Sequence, residues 1–212
     1  MSLSLPIQGA VLVAVALGSG ALLYASGVRV HLPGVDEGYS PEQPIAFSHR
    51  LHSGEMEMRC LYCHSAADES RHAGVPSASV CMNCHRFVHS GRLPAEAGLT
   101  AAPVSSELLK LYSAVGFDPA SGQYDPAHIG RPIEWIRVHD LPDFVSFDHS
   151  RHVKANVACQ TCHGPVETMD RVVQRSDLGM GWCIDCHREV NADHVPLLEG
   201  LRPSTDCAAC HY

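Results

Sequence analysis

The chain has 212 residues, and its 23 acidic against 15 basic side chains give a formal net charge of −8. This charge argues against binding to nucleic acid. It is compatible with docking to a basic partner, and a merely soluble acidic surface is the plainer alternative. Only 6% of the residues are aromatic, and 14 Pro with 17 Gly indicate a loop-rich chain. So little apolar material spread among turns would make a poor core by itself. We therefore expect scarce secondary structure and a core completed by bound groups.

The N-terminal segment is uncharged. Its 22 residues from Ile7 to Val28 are just long enough to cross a hydrocarbon core of about 30 Å. A cleaved signal peptide is the rival interpretation, but such peptides normally start with Lys or Arg, and the first charge here is Arg29. We therefore predict that residues 1–28 form a transmembrane anchor.

Small residues recur along this predicted anchor at a spacing of four, at Ala10, Ala14 and Gly18. Small side chains at that spacing let transmembrane helices approach each other closely. We expect this face to pack against partner helices; an alanine-rich anchor without partners is the plainer alternative.

All ten cysteines belong to five copies of Cys-x-x-Cys-His, a spacing that attaches a c-type haem. The two thiols bond to the porphyrin and the histidine binds iron from one face. A disulfide framework gives no reason for a His after every second Cys, and zinc sites built from Cys pairs need an even number of pairs. In chain order the motifs, numbered one to five, are Cys60, Cys63, His64; Cys81, Cys84, His85; Cys159, Cys162, His163; Cys183, Cys186, His187; and Cys207, Cys210, His211.

The motifs divide the chain beyond the anchor. We predict a connector at 29–44, a two-haem cluster at 45–91, a haem-free insert at 92–134 and a three-haem cluster at 135–212. The expected fold class is a multihaem cytochrome c: a haem-cored chain, mostly coil with short α-helices and almost no sheet, plus the N-terminal transmembrane helix.

The insert contains one amphipathic pattern. Its apolar residues share one helical face, Ser105 or Ser106 could cap the start, and Gly116 ends the helix. We expect the stripe to pack on the haem domain, with partner docking as the alternative, and the stretch from Phe117 to Arg131 to be a loop. The stripe consists of Val104, Leu108, Leu111, Tyr112 and Val115.

Phe-x-His-x-x-His occurs twice, before motif one as Phe47, His49 and His52, and before motif three as Phe147, His149 and His152. Histidines three apart on a helix cannot grip opposite faces of one iron, but they can reach two neighbouring irons. We therefore predict His49 and His52 as second ligands of haems one and two. His149 and His152 are predicted likewise for haems three and four.

The fifth haem then lacks a second ligand. Met180, three residues before motif four, is the predicted ligand, and a core methionine is the plainer alternative. A His/Met iron would have a higher potential than the four His/His irons. The reserve candidates for axial ligation are His139, His72 and Met169.

The chain closely resembles the membrane-anchored pentahaem cytochrome c subunit of bacterial alternative complex III. The resemblance covers most of the chain beyond residue 44 and includes the number, order and spacing of the motifs. The matching stretches are Phe47–His52, Glu55–His64, His72–Pro76 leading into Cys81–His85, Trp135–Asp143, Phe147–His152, Cys159–Gly164 and Met180–Arg188.

This resemblance implies a setting for the chain. Members of that family relay electrons from quinol oxidation towards a periplasmic cytochrome c or a terminal oxidase. Quinol is oxidised in multi-spanning neighbours, so the implied partners are that quinol-oxidising subunit, an iron–sulfur subunit and a monohaem cytochrome c subunit. The family pattern of four bis-His haems and one His/Met haem is implied too, although His72 and His139 lie in matching stretches without an assigned iron.

Two further function classes are weighed against this one. A membrane-tethered pentahaem carrier could donate electrons to a periplasmic reductase without a fixed partner. A true enzyme would need an open coordination position, and no variant motif marks such a haem, so we expect no catalytic haem and no small-molecule substrate on this chain.

Because c-type haem is attached on the outer face of the cytoplasmic membrane, we expect a single-pass bacterial membrane protein with its haem domain on the periplasmic side.

Overall fold

The computed structural model describes residues 5–25, 36–89 and 104–211. The chain forms two compact units, Met1–Leu32 and Pro33–Tyr212. The first contains helix α1, Leu5–Ala25, whose residues 6–25 are long and apolar enough to cross a membrane. The ends of the anchor predicted over residues 1–28 lie outside the described residues.

The second unit consists of short helices in coil. A π-helix, Arg50–Glu55, and two 3-10 helices, Val166–Thr168 and Pro196–Leu198, accompany seven α-helices within the described residues. The expected fold of short helices with almost no sheet is confirmed. The α-helices are α2 (Cys60–Cys63), α3 (Ala78–His85), α4 (Ser106–Val115), α5 (His149–Lys154), α6 (Cys159–His163), α7 (Met180–Asn191) and α8 (Cys207–Cys210).

Helix α4 is the amphipathic helix expected in the insert. The Ser105 hydroxyl accepts a hydrogen bond from the backbone N–H of Glu107 at 3.3 Å, which satisfies one free donor of the first turn. Gly116 ends the helix in the left-handed conformation at φ 69°, which glycine adopts without a Cβ clash.

The apolar face of α4 packs on α3, the helix that carries motif two. Leu111 and Tyr112 of α4 join Met82 of α3 and Phe117 in a buried apolar cluster. Burying a large apolar side chain stabilises a fold by about 1.5–3 kcal/mol. The stripe therefore fixes the insert to the domain, as expected.

The loop expected over Phe117 to Arg131 is partly wrong. Strand β1 (Phe117–Asp118) pairs antiparallel with β2 (Gln123–Tyr124) in a two-stranded sheet. The Asp118 carboxylate shapes the turn by accepting hydrogen bonds from the backbone of Ala120 and the hydroxyl of Ser121. Strands of two residues carry too little alternation to be recognised in a sequence.

The described part of the predicted connector, residues 36–44, is bonded to the domain. Its backbone exchanges hydrogen bonds with Gln174, which donates to the Tyr39 carbonyl at 2.9 Å and accepts from Gly38 at 2.8 Å. The Gln43 side chain donates to the Ile136 carbonyl and accepts from the Ile136 N–H, both at 2.9 Å. These contacts place residues 36–44 in the folded domain.

The two predicted haem clusters interlock. The backbone N–H groups of His149 and Ser150 donate to the carbonyls of Arg71 and Ser70 at 3.3 and 3.1 Å. In the opposite direction, the Arg50 N–H donates to a carbonyl of the second cluster, that of Met169, at 3.0 Å. Each cluster therefore supports the histidine-bearing segment of the other.

Candidate haem-binding sites

The two cysteines of each motif lie on a helical turn, in α2, α3, α6, α7 and α8, and His64 and His211 directly follow α2 and α8. Residues three and four apart in a helix lie on one face, so the two thiols and the following imidazole meet the same side of a flat ring. All ten cysteines lie in the described residues, and none of them forms a disulfide. The backbone thus presents five similar sites.

The structure pairs the imidazole of each of motifs one to four with an imidazole from a Phe-x-His-x-x-His segment. The ring centroids lie 6.1–6.4 Å apart. The pairs are His49 with His64 at 6.4 Å and 5° between ring planes, His52 with His85 at 6.1 Å and 64°, His149 with His163 at 6.4 Å and 6°, and His152 with His187 at 6.3 Å and 27°.

This spacing tests whether the residues fit an iron. Imidazole nitrogens bind metals at roughly 2 Å, and a ring centre lies about 1 Å behind its nitrogen, so two rings on one metal have centres roughly 6 Å apart. Two rings in direct contact would lie nearer. The four pairs therefore leave room for one metal ion between each two rings, and the adjoining cysteines would supply thioether links for a haem.

Most of these rings are also held in the tautomer that binds metal. Nδ1–H donates to a backbone carbonyl, which leaves the lone pair of Nε2 free for the metal. The six bonds are His52 to Ser48 at 2.9 Å, His64 to Gly74 at 2.7 Å, His85 to Val88 at 2.9 Å, His149 to Arg71 at 2.9 Å, His152 to Asp148 at 2.9 Å and His187 to Ser204 at 2.7 Å.

The repeated segment has the same geometry in both halves. Phe47 lies edge-on to His49 at 4.9 Å and stacks on His52 at 4.4 Å. The Phe147 ring makes the same two contacts, at 4.8 and 4.7 Å, with the two histidines of its own segment. The phenylalanine therefore holds both imidazoles apart, so that each faces a different motif.

Two of the paired histidines are strongly affected by their surroundings. Burial, followed by the charges of neighbouring histidines, lowers the pKa of His49 and of His163 to about 4. Both rings are therefore neutral at physiological pH, as metal ligation requires. His49 Nδ1 is buried without a hydrogen-bond partner, unlike the equivalent atom of His149.

Motif five is arranged differently. Val145 bridges to His211, and the Ser146 N–H donates to the Cys210 carbonyl at 2.7 Å, which ties α8 to the segment that leads to α5. Among the described residues, the aromatic ring beside His211 is Phe144, at 5.8 Å. Met180 is the first residue of α7 and is 70% exposed, so its ligation of the fifth haem stays a prediction.

The reserve ligands have other surroundings. Met169 is buried, and its methyl group lies beside Gly164, directly after motif three. His72 is exposed. The ring of His139 contacts that of His163 edge-on, with centroids 4.3 Å apart and planes at 80°. The pKa of His139 is lowered by burial and then by His149.

One supporting group was missed by sequence reasoning. The Tyr112 hydroxyl donates to the His85 carbonyl at 2.6 Å and accepts from His89 Nδ1–H at 2.8 Å. Insert helix α4 therefore holds the end of motif two by a polar contact as well as by apolar packing. A tyrosine within a buried stripe was the available signal, because a buried hydroxyl needs a partner.

Cysteines of different motifs lie next to one another. Burial, with neighbouring cysteines as a further cause, raises the pKa of the thiols of Cys63, Cys81, Cys159 and Cys183, and raises the pKa of Cys162 to about 11. The neighbours are Cys63 with Cys81 and Cys84, Cys60 with Cys159, Cys162 with Cys183 and Cys186, and Cys183 with Cys210.

Comparison with known proteins agrees with this geometry. Residues 145–212 match the family described as cytochrome c7 and related cytochrome c. This region is a multihaem cytochrome c domain. Along a longer stretch, the chain is 27% identical over 190 residues to the multihaem cytochrome c subunit of a menaquinone reductase from Nitratidesulfovibrio vulgaris, Hildenborough strain, covering 80% of this chain and 77% of that protein.

These matches confirm the expected fold class and its use of haem in electron transport. They place the resemblance at the level of multihaem cytochromes c, and the narrower resemblance to the alternative complex III subunit stays a proposal. The cytochrome c7 match spans motifs three to five, together with the second Phe-x-His-x-x-His segment.

Proposed function

We propose that this chain is an electron-transfer subunit with five c-type haems, relaying electrons from quinol oxidation in a membrane complex of the alternative complex III type. The acceptor would be a periplasmic cytochrome c or a terminal oxidase. The observation that carries the proposal is the set of four imidazole pairs at 6.1–6.4 Å. Bound haem would supply reversible one-electron chemistry.

The chain's own residues would hold these groups in fixed positions. In the proposed assignment His64, His85, His163, His187 and His211 each bind one iron. The second ligands are His49, His52, His149, His152 and, for the fifth haem, Met180. The backbone carbonyls that accept from Nδ1–H would fix the ring orientations and keep Nε2 on the metal. With both axial positions filled, we assign no catalytic haem to the chain.

The order of the sites supports a relay. Neighbouring cysteines join motif two to motif one, one to three, three to four and four to five. Motifs one and three are connected by a second contact besides the neighbouring cysteines. The Arg71 carbonyl, which follows motif one in the chain, accepts a hydrogen bond from His149 of site three. Motifs two and five would therefore be the two ends, where electrons enter or leave the subunit.

Helix α1 and the relative support a membrane setting. Residues 6–25 could serve as a membrane anchor, and the relative's name makes it part of a menaquinone reductase. We propose a single-pass subunit of a bacterial cytoplasmic membrane with its haem domain on the periplasmic face. Its partners would be an iron–sulfur subunit, a multi-spanning quinol-oxidising subunit and a monohaem cytochrome c subunit.

The name of the relative favours a second candidate direction. In a menaquinone reductase electrons reach the quinone, so the same relay could deliver electrons to a quinone instead of receiving them. The proposed haems could carry electrons either from quinol or to quinone. Electron transfer between haems whose two axial positions are both occupied is reversible. The direction can be decided by asking which added redox partner changes the haem spectrum.

The test is gentle solubilisation of the membranes, followed by purification through a tag on this chain. We expect co-purifying iron–sulfur and multi-spanning subunits, and reduction of the haems by a quinol analogue. Oxidation of pre-reduced haems by a quinone analogue, without reduction by quinol, would favour the second direction. Recovery of this chain alone, unresponsive to either, would contradict the proposal and favour the tethered carrier.

A further inference from the structure

His139 is a half-buried histidine beside a candidate haem site, and the ligand assignment gives it no iron. Its ring contacts the ring of His163 edge-on at 4.3 Å, while His163 is already paired with His149 at 6.4 Å. Three imidazoles thus meet at site three. In the proposed assignment His149 and His163 would hold the iron of this site, which leaves His139 available for a different role there.

The position of His139 is fixed from both sides. The Gln43 side chain donates one hydrogen bond to the Ile136 backbone and accepts another from it, and an ion pair of 2.5 Å joins Arg137 to Asp140 across the histidine. These protein contacts hold the segment that places His139 against His163.

The polar edge of the His139 ring has no acceptor among the described residues. Nε2 of His139 is buried and without a hydrogen-bond partner, and His49 Nδ1 at the first site is the other such side-chain atom within the described residues. Leaving a buried N–H without an acceptor is costly. The Nδ1–H of His149 donates to the Arg71 carbonyl. In the proposed assignment Nε2 of His149 and of His163 would face the metal and Nδ1 would carry the proton, so neither ring would offer an acceptor.

A c-type haem brings two propionate carboxylates to such a site, and these are strong acceptors for a neutral N–H donor. Among the groups that occupation of the site would add, the propionate is the one with free lone pairs. A neutral imidazole also suits this role, because it donates from one nitrogen without adding a buried charge.

We propose that His139 is a positioning residue for the third haem: its ring orients the proximal His163, and its Nε2–H donates to a propionate of that haem. This inference rests on the proposed haem ligation and adds to it. A donor to the propionate partly offsets the negative charge near the iron, which favours the reduced state. Removing the donor should therefore lower the potential of one haem.

Two substitutions separate the two parts of the role. His139→Phe keeps a ring against His163 but removes the donor, and His139→Gln keeps an N–H donor without the ring. His194→Phe, at an exposed histidine that the haem assignment does not use, is the matched control. The full chain is purified from membranes with its haems, and haem content, ferric electron paramagnetic resonance (EPR) spectra and midpoint potentials are measured.

We expect five haems and low-spin iron in every variant. In His139→Phe, one midpoint potential should fall by about 59 mV, which is a tenfold change in the ferrous-to-ferric ratio for one electron. His139→Gln should recover part of that shift and should instead alter the EPR signal of one haem, because the ring contact is lost. The control should leave all potentials and signals unchanged.

Other results would overturn the inference. High-spin ferric iron in both His139 variants would show that this residue is an axial ligand instead. Midpoint potentials that are unchanged in both variants would show that His139 has no role at the haem. A wild-type chain without five haems would instead contradict the proposed function, so the two failures are distinguishable.

Discussion

At the scale of single residues, ligand identity and ring orientation should set the properties of each haem. Three of the four paired sites have nearly parallel or moderately tilted imidazoles, whereas His52 and His85 are crossed at 64°. The fifth site has His211 but no second imidazole beside it in the described part of the chain. Sites two and five should therefore differ most from the rest in spectra and potential.

The crossed rings of site two give a spectroscopic prediction. Low-spin ferric haem with crossed axial imidazoles has a larger maximal g value than haem with parallel ones. His52→Met should therefore remove the bis-His signal with the largest g value and raise one potential. The matched variant His152→Met, at the equivalent position of the repeat, should spare that signal. If His152→Met lost the signal with the largest g value and His52→Met kept it, the assignment of that signal to site two would be contradicted.

The ligand of site five gives a second prediction. Met180→His should abolish the near-infrared band of thioether-ligated haem and lower the highest potential by on the order of 0.1 V, within the range that axial ligands span. Met56→His, at another exposed methionine, is the control and should change neither. Potentials that stay unchanged in Met180→His would exclude this methionine as a ligand.

At the scale of elements, local helix signals could be predicted from the sequence, whereas contacts between distant segments could not. Helix α4 was predictable because its cap, apolar stripe and terminal glycine lie within a dozen residues. The pairing of His149 with a carbonyl at Arg71 was not, since the two segments are 78 residues apart and no local pattern joins them. The likeness of the two Phe-x-His-x-x-His segments was visible, but the missing acceptor at His49 needed the tertiary structure.

The packing of the π-helix gives an element-scale prediction. A Cβ on Gly54 would collide with the Glu167 carbonyl oxygen, because the π-helix Arg50–Glu55 lies directly on the 3-10 helix Val166–Thr168. Gly54→Ala should therefore destabilise the folded domain by about 1–3 kcal/mol, seen as a lower melting temperature of the haem-loaded chain. Gly130→Ala, where a Cβ meets only ordinary contacts, is the control. Equal melting temperatures for the two variants would contradict this packing.

At the scale of the whole molecule, the proposed function is that of an anchored relay whose partners lie in the membrane and beyond it. The N-terminal helix is uncharged, and Gly18 continues the spacing of four between small residues that begins at Ala10 and Ala14. We propose that helices of other subunits pack against this face. The acidic haem domain, with its two end sites at motifs two and five, would meet the other redox partners.

The small-residue face of α1 gives the prediction for assembly. Gly18→Leu should cut co-purification of the multi-spanning subunit several-fold, because a large side chain keeps partner helices apart. Gly20→Leu lies about 200° around the helix and should have little effect. Both variants should retain their haems. Equal recovery of partners in the two would show that this face is not the contact.

The most direct test of the central claim is the intact mass of the chain purified from membranes, read together with its haem content. The account predicts one chain carrying five covalently attached haems, one for each Cys-x-x-Cys-His motif, with all ten thiols consumed. A chain with fewer attached haems, or with unmodified or disulfide-bonded cysteines in any motif, would contradict it.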